Sequence, residues 1–280
     1  MLARILLLFF STIFVHNVTA SSSDCTCSTA ESSSKNTELT TSNPTTVSTS
    51  TSISTSTSTN TVKTTATTSS YRSTYLGNKY CLDDPYMNDN LRNEATNAHN
   101  YRRSRLAQGM VKNKNGKNLP PASNMLKLLY HCALEVSSFL SASRCSLTPS
   151  PSLSSYLQEN IYMMPMSDAQ DAEDAIKTAI KHWWSPVRKD GGVGQGVTYT
   201  AYNEGKPISW FTRMAWATTQ YLGCAVHTCE GSQWSVVCHY SPGGNKNRES
   251  IYNRGPPCSA CPSGYFCGSD KLCAPNSTAT

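Results

Sequence analysis

The chain reads as an α+β protein. Three observations point there: helical signals over 89–108, 123–140 and 167–184, two alternating runs late in the chain at 222–227 and 233–240, and twelve cysteines in 280 residues. Helices followed by antiparallel strands favour mixed layers over a parallel, doubly wound sheet.

Residues 1–20 have the form of a secretory signal: Arg4, an apolar run from Ile5 to Val15, then Val18-Thr-Ala20 as a small-residue cleavage site. The run is shorter than the roughly 20 residues a membrane-spanning helix needs, and no later segment reads as transmembrane. An even number of cysteines in a secreted chain implies oxidised pairs. The net charge of +6 is scattered, with small clusters at Arg102, Arg103 and Arg105 and at Lys112 and Lys114. Nucleic-acid binding would call for a basic stripe interleaved with stacking aromatics, which is absent, so these residues read as a solvated surface.

Residues 21–75 read as a stalk. From Thr40 to Ser70, 23 of 31 residues are Ser or Thr, with no aromatic and one charge. Such a segment buries too little apolar surface to offset chain entropy, and its hydroxyls suit mucin-like O-glycosylation. Cys25 and Cys27 precede it, and a single intervening residue makes their direct pairing awkward, so bonds to another chain enter consideration.

Residues 76–255 are long enough for one buried core. Asp89 to Gln108 reads as the first helix, followed by a Gly- and Pro-containing loop to Pro121. Ser123 is expected to cap a second helix that buries Met125, Leu129, Cys132, Val136 and Leu140 as one stripe. A third helix is expected from about Ser167, carrying Ala169, Ala172, Ile176, Ala179, Ile180 and Trp183 inward and stopping before Pro186. The glycines of 191–196 suggest a phosphate loop, but no Lys-Ser/Thr follows, and the next residues, Val197 to Tyr202, read as strand; the segment is a turn. A short helix carries Arg213 to Gln220, and Leu222 to His227 with Gln233 to Tyr240 form a hairpin across Cys229-Glu-Gly-Ser232.

Residues 256–280 form a small cysteine-rich module and tail. Cys258, Cys261, Cys267 and Cys273 would hold it as two disulfides; the sharper alternative, a zinc ribbon, suits their spacing poorly. Asn276-Ser-Thr is a glycosylation sequon. Disulfides are likewise expected at Cys81, Cys132, Cys145, Cys224, Cys229 and Cys238, with Cys224, Cys229 and Cys238 stapling the hairpin; spacing leaves the pairing open.

Five segments occur in an order that resembles the CAP family (cysteine-rich secretory proteins, venom antigen 5, plant pathogenesis-related proteins). They are Ala98-His-Asn-Tyr-Arg102, Tyr130-His-Cys-Ala-Leu-Glu135, Gln158-Glu-Asn-Ile161, Ser209-Trp-Phe-Thr-Arg-Met-Ala-Trp216 running on to Val226, and Val237-Cys-His-Tyr-Ser-Pro-Gly-Gly-Asn245. The chain is most similar to nematode venom-allergen-like, activation-associated secreted proteins. The resemblance implies a three-layer α-β-α sandwich followed by a disulfide-rich hinge.

In that family two His and two Glu converge on a cleft that can hold a divalent metal such as zinc. The resemblance assigns His99 and Glu159 to one His and one Glu, while Pro186 stands at the second Glu position. Trp210 stands where the second His precedes a Phe-Thr-Gln run. Proline and tryptophan offer zinc no usable lone pair, so no metal or other cofactor is expected. His182, one turn before Pro186, is a remote substitute ligand. His99 and Glu159 are expected to face one another as a structural pair, with His131 and His239 packed or at the surface. No nucleophile motif is present and no catalytic residue is assigned.

The resemblance then implies a secreted, non-enzymatic protein acting through an extracellular or host receptor, in the manner of a nematode excretory-secretory immunomodulator. A second reading is a carrier of sterol or fatty acid, with Met163, Met164 and Met166 as a flexible apolar contact. A metal-assisted hydrolase is the weakest of the three.

Overall fold

The computed structural model describes residues 78–81 and 87–276. The expected signal peptide, the Ser/Thr-rich stalk, and Cys25 and Cys27 lie outside the described residues.

Helix α1 spans Asp89–Ala107, and its Asn88 cap accepts from the Leu91 amide at 2.9 Å. Its buried side is unusually polar, because Arg92, His99, Asn100 and Arg103 all point inward and each is bonded there. Asn100 donates to the Leu128 carbonyl and accepts from the Leu128 amide, both at 2.9 Å, so its amide group behaves like a neighbouring strand. Arg103 donates to the carbonyls of Leu126, Met214, Trp216 and Ala217 at 2.7–3.1 Å.

These bonds overturn the expected second helix. Residues 125–130 form no helix and are bonded to α1 at Leu126 and Leu128, ending in β1 (Leu129–Tyr130), and α2 runs only over Cys132–Ala142. Its buried face is Leu134, Glu135, Ser138, Ser141 and Ala142, whereas Val136 and Leu140 of the expected stripe are 51% and 62% exposed. Strand β2 (Gln158–Pro165) follows, so Met163 and Met164 belong to a strand rather than a flexible run, and Met164 is core. Helix α3 is Ala172–Trp184, starting later than expected because Asp171 caps it through the Asp174 amide at 2.8 Å. Pro186 does end it, and opens the four-residue α4 (Pro186–Lys189). Residues 197–202 make one isolated bridge, Thr198 to Ser250, before a 3-10 turn, instead of the expected strand. Helix α5 is Ile208–Ala215, earlier than expected, and β3 (Tyr221–Cys229) and β4 (Gln233–Ser241) form the expected hairpin.

The sheet order is β1-β3-β4-β2, with β1 parallel to β3 and the other pairs antiparallel. Helices α1, α3 and α5 cover one face and α2 the other, giving the α-β-α sandwich. Strand alternation sends Leu222, Cys224, Val226, Val236, Cys238 and Tyr240 to the core under α1 and α3. The opposite layer is thin, centred on Ala142, Ala225 and Val237. A Cβ on Gly223 would lie 2.3 Å from the Glu135 amide nitrogen, so only glycine lets α2 come this close to β3. At Gly244 the obstacle is the Trp216 ring, 2.3 Å from where a Cβ would be, which makes the two signature segments a fitted pair.

Among the described residues, five disulfides join Cys81–Cys132, Cys145–Cys229, Cys224–Cys238, Cys258–Cys267 and Cys261–Cys273. The C-terminal module contains β5 (Tyr265–Cys267) and β6 (Cys273–Pro275). It is docked on the CAP domain: Leu272 is fully buried in an apolar cluster with Leu106, Met125 and Tyr252, and Cys273 exchanges backbone hydrogen bonds with Met125 and Lys127 at 2.8 Å. Asn276 is exposed.

Gly223→Ala is expected to destabilise the protein by about 3 kcal/mol or more, because the obstruction is helix backbone that cannot rotate away. Urea unfolding of the secreted chain measures it; a change under about 0.5 kcal/mol would mean that α2 can slide.

Candidate functional site

An open cleft of about 300 Å3 lies at the outer edge of β2, the edge strand of the sheet. The loop after α2 contributes Leu147, Pro149 and Leu153; β2 contributes Gln158, Glu159 and Ile161; α5 contributes Trp210 and Arg213. The loop is tethered at its start by Cys145–Cys229 and in its middle by the Ser150 amide, which donates to Glu159 Oε1 at 2.9 Å.

The other Glu159 oxygen accepts from Ser141 Oγ at 2.5 Å and from His239 Nε2 at 2.8 Å. Burial by itself would raise the Glu159 pKa, but the hydrogen bonds from His239, Ser141 and the Ser150 amide outweigh it and hold the carboxylate below its ordinary value. His239 Nδ1 is hydrogen-bonded to Ser137 Oγ at 2.7 Å, and Ser137 Oγ also bonds the Leu134 carbonyl at 3.0 Å. Ser137, His239 and Glu159 therefore stand in the order of a hydrolase relay. Such a relay needs substrate space at the serine, and the cleft reaches Glu159 without reaching His239 or Ser137. The chain of bonds orients Glu159 and locks α2 to β4 and β2.

The expected His99–Glu159 pair does not form. Glu159 lies opposite His239 in the ladder and shares the α2 face, while Asn160, one residue on, turns to the other face with Tyr240. His99 belongs to that second face. It is fully buried, donates Nδ1–H to the Ala95 carbonyl at 2.7 Å and accepts at Nε2 from Tyr240 Oη at 3.0 Å. Burial pushes its pKa down to about 3, the Ala95 bond opposing the shift and Arg102 and Arg103 adding to it, so the ring is neutral. His182 is no substitute ligand: its ring stacks on Tyr162 at 3.9 Å and tilts against Trp210 at 5.1 Å. Pro186 is buried and outside the cleft lining. Of the four assigned positions, Glu159 and Trp210 meet in the cleft and His99 and Pro186 do not. His131 is exposed and packs edge-on to Tyr221.

The donor set does not fit a divalent ion. Both oxygens of the cleft's one carboxylate are already engaged, and the other side chains around it are apolar, amide, indole or guanidinium. Cys258, Cys261 and Cys273 have sulfurs within 4.8 Å of one another, but each is spent in a disulfide and offers no thiolate.

Two roles escaped sequence reasoning: His239, expected packed or at the surface, is packed but bonds Glu159, and Arg213 lines the cleft. His239 was detectable from strand alternation, since inward Cys238 and Tyr240 force it to the face that holds Glu159. Arg213 was detectable as an arginine where the family run has glutamine.

The family model described as "Cysteine-rich secretory protein family", CAP, matches residues 96–240. The chain belongs to this family. It is 35% identical over 205 residues to Ancylostoma secreted protein of Ancylostoma caninum, covering 70% of this chain and 47% of that one, so it spans about half of that relative's length. Among solved structures, BmVAL-1 matches with 32% identity and a TM-score of 0.64, over 68% of this chain and 96% of that one. The crystal structure of NaASP2 with Zn2+ matches with 32% identity and a TM-score of 0.61, over 68% of this chain and 98% of that one. These relatives place the CAP domain with the nematode venom-allergen-like proteins.

A buried imidazole with a depressed pKa contributes stability above its ordinary pKa of 6.5 and loses it as pH falls from there towards 3. In His99→Gln the slope of unfolding free energy against pH between 6 and 4 is expected to fall by about 1.4 kcal/mol per pH unit. Denaturant titrations across that range measure it, and an unchanged slope would mean that His99 takes up a proton in the folded state.

Proposed function

We propose that this chain is a secreted, stalked CAP protein that acts by extracellular contact rather than by catalysis. One observation carries the reading: the cleft holds a single carboxylate, Glu159, whose two oxygens are both engaged, by Ser141, Ser150 and His239, with Trp210 in place of the second histidine. A metal-assisted reaction needs open coordination and a free base, and both are consumed here in holding the fold.

The rest of the reading assembles from its parts. A signal over 1–20 delivers the chain to an oxidising compartment, in keeping with five disulfides. A glycosylated stalk over 21–75 holds the CAP domain (76–255) and its docked C-terminal module (256–280) away from a surface. Among the described residues no helix is long and apolar enough to cross a membrane. The partner is a protein receptor, of a host or of the organism itself. Of the three methionines of the carrier reading, Met164 is enclosed in the core and offers no ligand contact, while Met163 and Met166 are partly exposed.

The test uses full-length protein secreted from eukaryotic cells. Elemental analysis is expected to find far less than about one zinc per chain. Casein and p-nitrophenyl ester turnover, with and without added zinc, is expected to match that of Glu159→Ala. About one metal per chain, or turnover that Glu159→Ala abolishes, would overturn the non-catalytic reading.

A further inference from the structure

The geometry points to the β2-edge cleft as a binding site for a small organic carboxylate with an apolar body, such as an aryl-alkanoic acid, held by Arg213 and Trp210. This goes beyond the contact role proposed above and does not depend on it.

Arg213 is the cation of the cleft. Its Nε donates to Gln158 Oε1 at 2.9 Å and its Nη1 to Asn160 Oδ1 at 3.2 Å. Both acceptors are neutral amides, Nη2 has no protein partner, and the ion pairs among the described residues include none at Arg213. Burial lowers its pKa, with Tyr199, Tyr240, Glu159 and Glu204 opposing the shift from beyond ion-pair contact. The two amides hold the guanidinium plane fixed while leaving N–H donors unspent, a preorganised half of an arginine–carboxylate pair.

Glu159 does not fill that role. Its carboxylate is turned to the α2 face and hydrogen-bonded by three donors there, so it makes no ion pair with Arg213 and its charge acts on the guanidinium only from a distance. The remaining walls choose the body of the ligand: Trp210 on one side and Leu147, Pro149 and Leu153 on the other are apolar, which suits a ring and gives inorganic phosphate nothing to gain. A volume of about 300 Å3 lies at the small end of ligand pockets and favours a single ring on a short chain over the fused rings of a sterol.

The sequence carries the same message at two positions. Trp210-Phe-Thr-Arg213 stands where the family run reads His-Phe-Thr-Gln, so one stretch of α5 exchanges a metal ligand for an aromatic wall and a neutral amide for a cation. Residues 210 and 213 are one helical turn apart and both reach the cleft.

Calorimetric titration of the full secreted chain with 3-phenylpropionate tests this, with 3-phenylpropionamide as the uncharged isostere. One-to-one binding is expected for the acid, with the amide about tenfold weaker or more, the loss that follows from removing a charge-assisted bond. Arg213→Gln is expected to weaken the acid about tenfold and leave the amide unchanged. Because Arg213 also bonds Gln158 and Asn160, Leu147→Asp serves as a second variant: Leu147 is 64% exposed, so the fold tolerates the change while the apolar wall and the local charge both turn against the acid. Equal affinity for acid and amide, no saturable binding of the acid up to millimolar concentration, or acid binding that Leu147→Asp leaves intact would each overturn the assignment.

Discussion

The structure is organised around a buried cation with no anion. Arg103, on α1, is fully enclosed, and its guanidinium is caged by main-chain carbonyls from the 126 segment and from the end of α5 and the turn beyond it. Carbonyls at a helix C-terminus lack intrahelical donors and carry partial negative charge, so a guanidinium placed there satisfies them and is stabilised in return. Neutral dipoles offset only part of the desolvation, and burial still lowers the Arg103 pKa. The consequence is geometric. One side chain sets the distance between α1, the segment at Leu126 and α5, and α5 is the element that carries Trp210 and Arg213 to the edge of β2.

Each face of the sheet has its own polar network, and the parity of β2 keeps them apart. On the α1 face, His99, Tyr240, Asn160 and Arg213 are linked in series. On the α2 face, Glu159 gathers Ser141, Ser150 and His239, while at the opposite, β1 edge of the sheet Glu135 of α2 takes Arg92 of α1 through both oxygens and Tyr130 through one. The thin α2 layer has few apolar side chains to bury, and Gly223 brings backbone so close that none would fit. Satisfied polar groups do there what hydrophobic packing does under α1 and α3, and the low local dielectric makes each bond costly to break.

This explains which parts of the molecule were legible in sequence. The hairpin, α3 and α1 follow from alternation, from an apolar stripe ending at Pro186, and from strong end signals. The second helix misled because Met125, Leu129, Val136 and Leu140 have helical spacing, while the interactions that decide the matter come from Asn100 and Arg103, more than twenty residues away. Periodicity assumes that apolar residues face inward, and α2 inverts the rule by burying Glu135, Ser138 and Ser141. At the site, Trp210 and Glu159 were found from their motifs. The His99 assignment failed on the parity of β2, since one residue of register separates the two faces.

The same arrangement shows why the cleft can change its chemistry without loss of the fold. Its walls are positioned by bonds that do not use the cleft's interior: the Cys145–Cys229 disulfide and the Ser150–Glu159 bond anchor the loop, and the Arg103 cage anchors α5. A bound metal would normally draw such elements together, but here they are already held. The character of the cleft then rests on residues 147, 210 and 213, which are leucine, tryptophan and arginine, an apolar wall, an aromatic wall and a cation without an ion pair. The scaffold and the chemistry of its cleft are separable, so membership of the family fixes the first and leaves the second to be read from these three side chains.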